Sequence, residues 1–397
     1  MKTFLFACAP LLCALLIVAP IPVIAQGGGL EDQDLSKRQS QEFEFTSGDN
    51  NTTIRGTIWL PPDHQDGASS EELRTLVALV HGDGPQDRTS GGGYNPLINA
   101  LLDQGIHVAS WDKAGIGDSD LPNDDYSWLD QSMSQRADET RSAIGKLRET
   151  FHDFAAVGAL GFSQAGWVLP RLSTDDDLDF LILVGPAVNW QDQGEYFARK
   201  RMEAEGANPA SIEETIVRDR VSDDMLFNAS TFPSSAADDL TEERWAFIKR
   251  NRHEDATAYV QNLTIPTLAV WGEDDLNVNA SHDAEIYRAF LGACPHKVVL
   301  IPNATHGLQR SESYNYQLAD QWPLDRQVTW YEQGRFAYAA GAIELITDWI
   351  LLDHYQKATC NQTDPGDDDD NSSQASAWGL WPTVLSGLYI VLMLMFG

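Results

Sequence analysis

The sequence predicts an α/β fold, a mainly parallel sheet with helices on both faces and an inserted helical cap. Three observations carry this. Short continuous apolar runs recur at 76–80, 106–111, 155–160, 180–184, 267–271 and 297–301, the pattern of strands buried on both faces. Helix-compatible stretches separate them, at 96–103, 132–149 and 281–291, and strands alternating with helices imply parallel crossovers. The segment 190–261 is highly charged and helix-prone without any such run, so it reads as an insertion.

The elements follow in order. Phe43 and Phe45, then Ile54, Ile58 and Leu60, alternate with polar residues around Gly48-Asp49-Asn50, a hairpin closed by Pro61-Pro62. The run 76–80 stops at His81-Gly82-Asp83-Gly84-Pro85, and 106–111 at Asp112-Lys113-Ala114-Gly115-Ile116-Gly117. The core is expected over 39–189 and 262–357, with a last helix over 335–353 and the cap over 190–261 between the two parts.

Composition narrows function. The 397 residues suffice for one large domain with insertions. With 27 basic against 59 acidic residues the net charge is -32, which excludes nucleic-acid binding. Lys2 before an apolar run over 4–18 reads as a secretory signal over 1–25, with an uncleaved anchor as the alternative. The polar segment 26–38 ends in Lys37-Arg38, as a propeptide does. Cys8 and Cys13 leave with the signal; Cys294 and Cys360 then form one disulfide or remain as two thiols. Glycosylation sequons include Asn51, Asn228, Asn262 and Asn361. Over 358–397 an acidic spacer and small residues precede an apolar tail, the order of a GPI-attachment signal, with a transmembrane anchor as the alternative. Membrane contact is thus expected through the C-terminus alone. No metal-ligand spacing and no complete dinucleotide fingerprint is present, so neither metal nor cofactor is expected. Oligomeric state is not readable.

The chemistry is expected at Gly161-Phe162-Ser163-Gln164-Ala165-Gly166, where an apolar run meets a helix-compatible segment. Such a strand, sharp turn and helix lifts a serine hydroxyl above the sheet edge, and needs small residues at Gly161 and Ala165. A serine nucleophile needs a base, a carboxylate to orient the base, and N–H donors for the oxyanion. His306 and Asp275 each follow a buried run. The chain order Ser163, Asp275, His306 differs from the chymotrypsin and subtilisin orders.

With His81-Gly82-Asp83-Gly84-Pro85-Gln86-Asp87-Arg88 beside these residues, the chain resembles the α/β-hydrolases over 41–355, and within them a serine aminopeptidase-like and acyl-ester hydrolase subgroup with an HGxGPQDR loop. The resemblance implies a Ser163–His306–Asp275 triad, with the backbone N–H groups of Asp83 and Gln164 as oxyanion donors. It also implies that the Asp112 to Gly117 turn is structural. Asp83 and Ala165 depart from the subgroup's usual small or hydroxyl residue and glycine, and the Asp83 side chain is expected to point away from the oxyanion. Trp190, Tyr196 and Phe197 are the expected substrate-pocket residues, while Tyr314, Tyr316, Trp322, Trp330 and Tyr331 are expected in a long loop after His306, packed under the cap or, as the alternative, flooring a cap-side pocket. A small-molecule ester or a short peptide is the expected substrate. Glu195, Glu203 and Glu205 would serve an exopeptidase, and a non-catalytic binding module is the reading of another class.

Overall fold

The computed structural model describes residues 28–47, 52–62, 74–119, 126–151, 154–173, 178–233, 240–292, 295–318 and 321–353. The expected signal, both cysteines of the expected disulfide (Cys294 and Cys360), the sequons at Asn51 and Asn361, and the C-terminal attachment signal lie outside these residues.

Eight strands form one sheet: β1 (Gln39–Thr46), β2 (Thr53–Leu60), β3 (Arg74–Val80), β4 (His107–Trp111), β5 (Phe154–Phe162), β6 (Phe180–Val184), β7 (Thr267–Gly272) and β8 (Lys297–Ile301). Their spatial order is β1-β2-β4-β3-β5-β6-β7-β8. The β1–β2 hairpin is antiparallel, β2 runs antiparallel to β4, and all later pairings are parallel. Alternation along a strand sends side chains to opposite faces. Leu76, Ala78 and Val80 of β3 accordingly enter one buried cluster and Val77 and Leu79 the other.

Two helices show how the faces are covered. Helix α1 (Asn95–Asp103) buries Leu97, Ile98, Leu101 and Leu102. Helix α2 (Met133–Thr150) starts at a capping box in which Ser132 and Gln135 satisfy each other's backbone N–H groups. Its buried stripe of Met133, Ala137, Thr140, Ile144 and Leu147 also contains Arg136.

The inserted segment holds α3 (Trp190–Ala204), α4 (Pro209–Asn228), α5 (Glu242–Asn251) and α6 (Thr257–Gln261). After β7 come α7 (Ala280–Leu291), and after β8 the short α8 (Ser311–Tyr314), α9 (Leu324–Gln333) and α10 (Ala342–Asp348). Three expectations change. The segment after Ser163 forms two 3-10 turns, Ser163–Trp167 and Leu169–Leu172, because Pro170 interrupts it. The long loop after His306 contains α9. The last helix begins only at Ala342, after a 3-10 turn at Gly334–Ala337 and the left-handed Gly341.

The described residues of the expected propeptide, 28–38, pack on the body of the fold. Asp32 is buried and takes a multidentate ion pair from Arg335, with Arg335 Nη2 2.6 Å from Asp32 Oδ1 and the Arg335 backbone N–H 2.8 Å from Oδ2. Arg38 donates to Asn99 and Asp103 at 2.6 Å each. Removing one partner of a buried pair strands the other charge, so Arg335→Ala is expected to lower the unfolding free energy by about 3 kcal/mol in urea denaturation; an unchanged midpoint would show that residues 28–38 do not hold to the body in this way.

Candidate active site

In a parallel sheet all strands present their C-terminal ends at one edge. His81 to Asp83 leave β3 there, Ser163 leaves β5, Asp275 follows β7 and His306 follows β8.

Ser163 has φ 50°, a left-handed backbone unusual for a residue with a side chain. The turn is tight enough that a Cβ on Gly161 would lie 2.6 Å from the Ala165 Cβ and 2.7 Å from Leu169 Cδ1. Only glycine fits at 161, which lets the turn close.

The acid and base meet through a similar approach. A Cβ on Gly272 would lie 2.2 Å from the Ala304 carbonyl oxygen, so the loops after β7 and β8 touch at their backbones. The N–H groups of Glu273 and Asp274 donate to Ile301 and Ala304 at 2.9 and 3.0 Å and lock the two loops together. His306 Nδ1 then donates to Asp275 Oδ2 at 2.7 Å. Asp275 Oδ1 accepts the backbone N–H groups of Asn277 and Val278 at 2.7 and 2.8 Å, which fixes the carboxylate. With its proton on Nδ1, the ring keeps a lone pair on Nε2, and that atom has no hydrogen-bond partner among the described residues. Ser163 and His306 line one cleft of about 480 Å³.

A buried polar array holds the loop after β3, the one expected to receive the oxyanion. Lys113 Nζ donates to the carbonyls of Gly82 and Gly84 at 2.6 and 2.7 Å. Arg136 donates to the His81 carbonyl at 2.7 Å and to Gln164 Oε1 at 2.6 Å. Gln164 Nε2 in turn donates to Asp83 Oδ1 at 2.9 Å. Arg244, from α5 of the inserted segment, completes the set as a fork onto Asp83, at 2.6 and 3.1 Å. Burial raises the Asp83 carboxyl, but the Arg244 guanidinium outweighs it and holds the carboxyl below its ordinary value. The Asp83 carboxylate is thus drawn onto a cation. Among the described residues, neither the Asp83 nor the Gln164 backbone N–H is spent on a turn or loop backbone bond.

His81 is no rival base. Its Nε2 donates to the Trp111 carbonyl at 2.6 Å, and burial, with help from Lys113, pushes its pKa down to about 3. The Asp112 turn is held by Arg88, whose guanidinium and backbone N–H both reach the carboxylate.

The expected pocket residues are corrected. Trp190, Tyr196 and Phe197 do not line the Ser163 cleft. Trp190 packs on Trp167, with ring centroids 4.8 Å apart, and borders a separate cavity of about 80 Å³. The Tyr196 hydroxyl donates to the Asp275 carbonyl at 2.8 Å, and the Phe197 carbonyl accepts from Gln317 at 2.8 Å. They brace the acid loop from outside. Trp322, Trp330 and Tyr331 form a cleft wall instead, together with Gly91 and Gly93. Val328 and Tyr331 of α9 stay about half exposed and Leu324 more so, so this helix does not pack under the cap. The i, i+4, i+7 spacing of Leu324, Val328 and Tyr331 is the signal for α9 that the sequence offers.

The arrangement is that of an α/β-hydrolase: a serine turn after β5, a carboxylate turn after β7 and a histidine loop after β8, all at one edge of the sheet. The chain belongs to the family described as serine aminopeptidase, S33, whose model matches residues 71–313. Among solved structures it is similar to an esterase of Pyrococcus furiosus, at 16% identity with a TM-score of 0.45, covering 68% of this chain and 84% of that one. A carboxyl esterase of Bacillus coagulans shows 18% identity and a TM-score of 0.44, covering 66% and 90%. The peroxisomal α/β-hydrolase Lpx1 of Saccharomyces cerevisiae shows 11% and 0.46, covering 79% and 89%. No curated protein matches. The protein is a hydrolase of this fold.

Two measurements probe the site. Arg244→Met leaves the Asp83 carboxylate buried beside the oxyanion loop without its cation, so kcat is expected to fall by about 10- to 100-fold, and the Asp83→Asn/Arg244→Met double variant to recover part of it. An additive double variant would show that the pair does not act as a unit. Burial, reinforced by the Asp275 charge, pushes Asp283 on α7 up to about 7 from 3.8. Between these values the folded state holds a proton that the unfolded chain has lost, so stability falls as pH rises from about 4 to 7. Asp283→Asn is expected to flatten that slope, worth on the order of 4 kcal/mol across the window, in urea titrations at several pH values.

Proposed function

We propose that the protein is a secreted, surface-anchored serine hydrolase that cleaves a carboxylic ester of a small molecule through an acyl-enzyme. The observation that carries this is the Asp275–His306 hydrogen bond, with His306 Nε2 left open in the cleft that Ser163 lines. His306 takes the Ser163 proton as Oγ attacks the ester carbonyl carbon. The Asp83 and Gln164 N–H groups receive the oxyanion, and the departing alkoxide leaves with the proton from His306 Nε2. Water, deprotonated by the same nitrogen, then attacks the acyl carbon, releases the acid and restores Ser163. Asp275 orients the ring and stabilises its charged form.

The family description also suggests an exopeptidase. Such an enzyme must pair a substrate ammonium with a carboxylate in the cleft. The carboxylate among the lining residues is Asp83, which Arg244 already holds, and Glu195, Glu203 and Glu205 do not line the cleft. This favours the ester. Secretion rests on the N-terminal signal pattern and on the sequons; Asn228 and Asn262 are both solvent-exposed, as glycan attachment requires. Anchoring rests on the C-terminal pattern alone. No helix among the described residues is long and apolar enough to cross a membrane.

Ser163→Ala is expected to lower turnover of short-chain aryl esters by at least about 10⁴-fold and to abolish labelling by a fluorophosphonate, with an unchanged melting profile. Retained labelling, or faster cleavage of aminoacyl amides than of esters by the unaltered protein, would overturn the assignment.

A further inference from the structure

We propose that the ester cleaved at Ser163 is an acylated sugar, with the sugar ring as the leaving alcohol; this rests on the ester-hydrolase reading above. The first support is the character of the cleft wall. Its apolar surface comes from the rings of Tyr94, Phe162, Trp322, Trp330, Tyr331 and Tyr338, and its neutral polar surface from Gln86, Ser90, Gln309 and Gln327. No Leu, Ile, Val, Met or Ala is among the lining residues. A long acyl chain is flexible and packs best against aliphatic side chains of similar shape. A pyranose ring is rigid and presents C–H groups of slight positive charge on its faces, which suit the negative face of an aromatic ring. Its edge carries hydroxyls, which suit amides.

The second support is independent of the first. Besides His306 Nε2, two polar atoms of the lining residues are buried with no hydrogen-bond partner among the described residues, Gln86 Oε1 and Trp330 Nε1. One is an acceptor and the other a donor, and buried polar groups of a folded protein are otherwise nearly all paired. Gln86 is only 4% exposed, and its Nε2 is committed to Ser90 Oγ at 2.8 Å, so the amide is held in place. Its open oxygen lies beside the reacting centre: Gln86 Oε1 and Ser163 Cβ are both within 4 Å of the point that a Cβ on Gly82 would occupy. Hydroxyls are the groups that both donate and accept, so a polyhydroxylated ring answers both open atoms at once. An aromatic or alkyl alcohol answers neither.

A rival class is a lipid ester. Leu324 and Val328 form an exposed apolar stripe with Tyr331 on α9, beside the cleft mouth. Of these only Tyr331 lines the cleft, so the stripe does not supply a chain-binding wall.

The full-length protein decides between them. The substrates are a monoacetylated methyl glucoside and cyclohexylmethyl acetate, which keeps the ring and the acetyl group but lacks the hydroxyls. The expected kcat/KM is at least about tenfold higher for the glucoside ester. Trp330→Phe keeps the ring face and removes the N–H; it is expected to lower the ratio of the two kcat/KM values about fivefold, mainly through KM of the sugar ester, as is Gln86→Met. Thermal melts show whether each variant is folded, and competition of unacetylated methyl glucoside against glucoside-ester turnover by the unaltered protein gives a readout that needs no variant. Equal rates on the two acetates, a ratio unchanged in folded variants, no competition by methyl glucoside, or faster cleavage of a dodecanoyl glycerol ester would overturn the sugar assignment. Failure of Ser163 to react with a fluorophosphonate would instead overturn the hydrolase reading beneath it.

Discussion

The buried ion pair between Arg244 and Asp83 joins three parts of the molecule that are far apart in sequence. Asp83 belongs to the loop after β3, Arg244 to the inserted helices, and Gln164, which also donates to Asp83, to the nucleophile turn. A carboxylate beside an oxyanion site would oppose the charge that develops there. Its fork on Arg244 turns that liability into a fastening, because the same contact holds the loop, the turn and the insertion in one arrangement. Catalysis by preorganised donors depends on such rigidity, since nothing need reorient when the charge appears.

The local electrostatics run against the global ones. The chain is acidic overall, at -32, yet the groups packed behind the oxyanion loop include Lys113, Arg136 and Arg244, all buried. Glu139 and Asp83 offset part of this, and burial pushes Lys113 well below and Glu139 above their ordinary values. In a low-dielectric interior a few fixed charges outweigh a large, solvent-screened surface charge. An acidic surface therefore coexists with a buried array rich in cations behind the loop after β3, as the proposed mechanism requires.

Much of the site was legible because it follows the main chain. Ser163, Asp275 and His306 each stand just beyond a short apolar run, and Gly161 and Gly272 mark places where neighbouring atoms leave no room for a side chain. What was not legible depends on side chains meeting across long separations. Arg136 lies on the buried stripe of α2, where a charged residue is a visible anomaly, but its partners at His81 and Gln164 are not deducible from that helix. Trp190, Tyr196 and Phe197 follow on the strand after the serine turn, which made them natural pocket candidates; Trp190 packs on Trp167 instead, while Tyr196 and Phe197 brace the loop of Asp275. The wall comes from α9, within a segment without strand-like periodicity.

The sequence by itself determined the alternation of strands and helices, the inserted segment and the three strand ends that bear chemistry, because local apolar periodicity and turn residues act over a few positions. Only the tertiary structure decided that residues 28–38 are fastened to the body through Asp32 and Arg335. It alone showed Asp83 held by Arg244, and the cleft lined by rings and amides. Those outcomes depend on burial and on partners far apart in the chain, 161 positions for Asp83 and Arg244 and 303 for Asp32 and Arg335, which no local pattern of residues encodes.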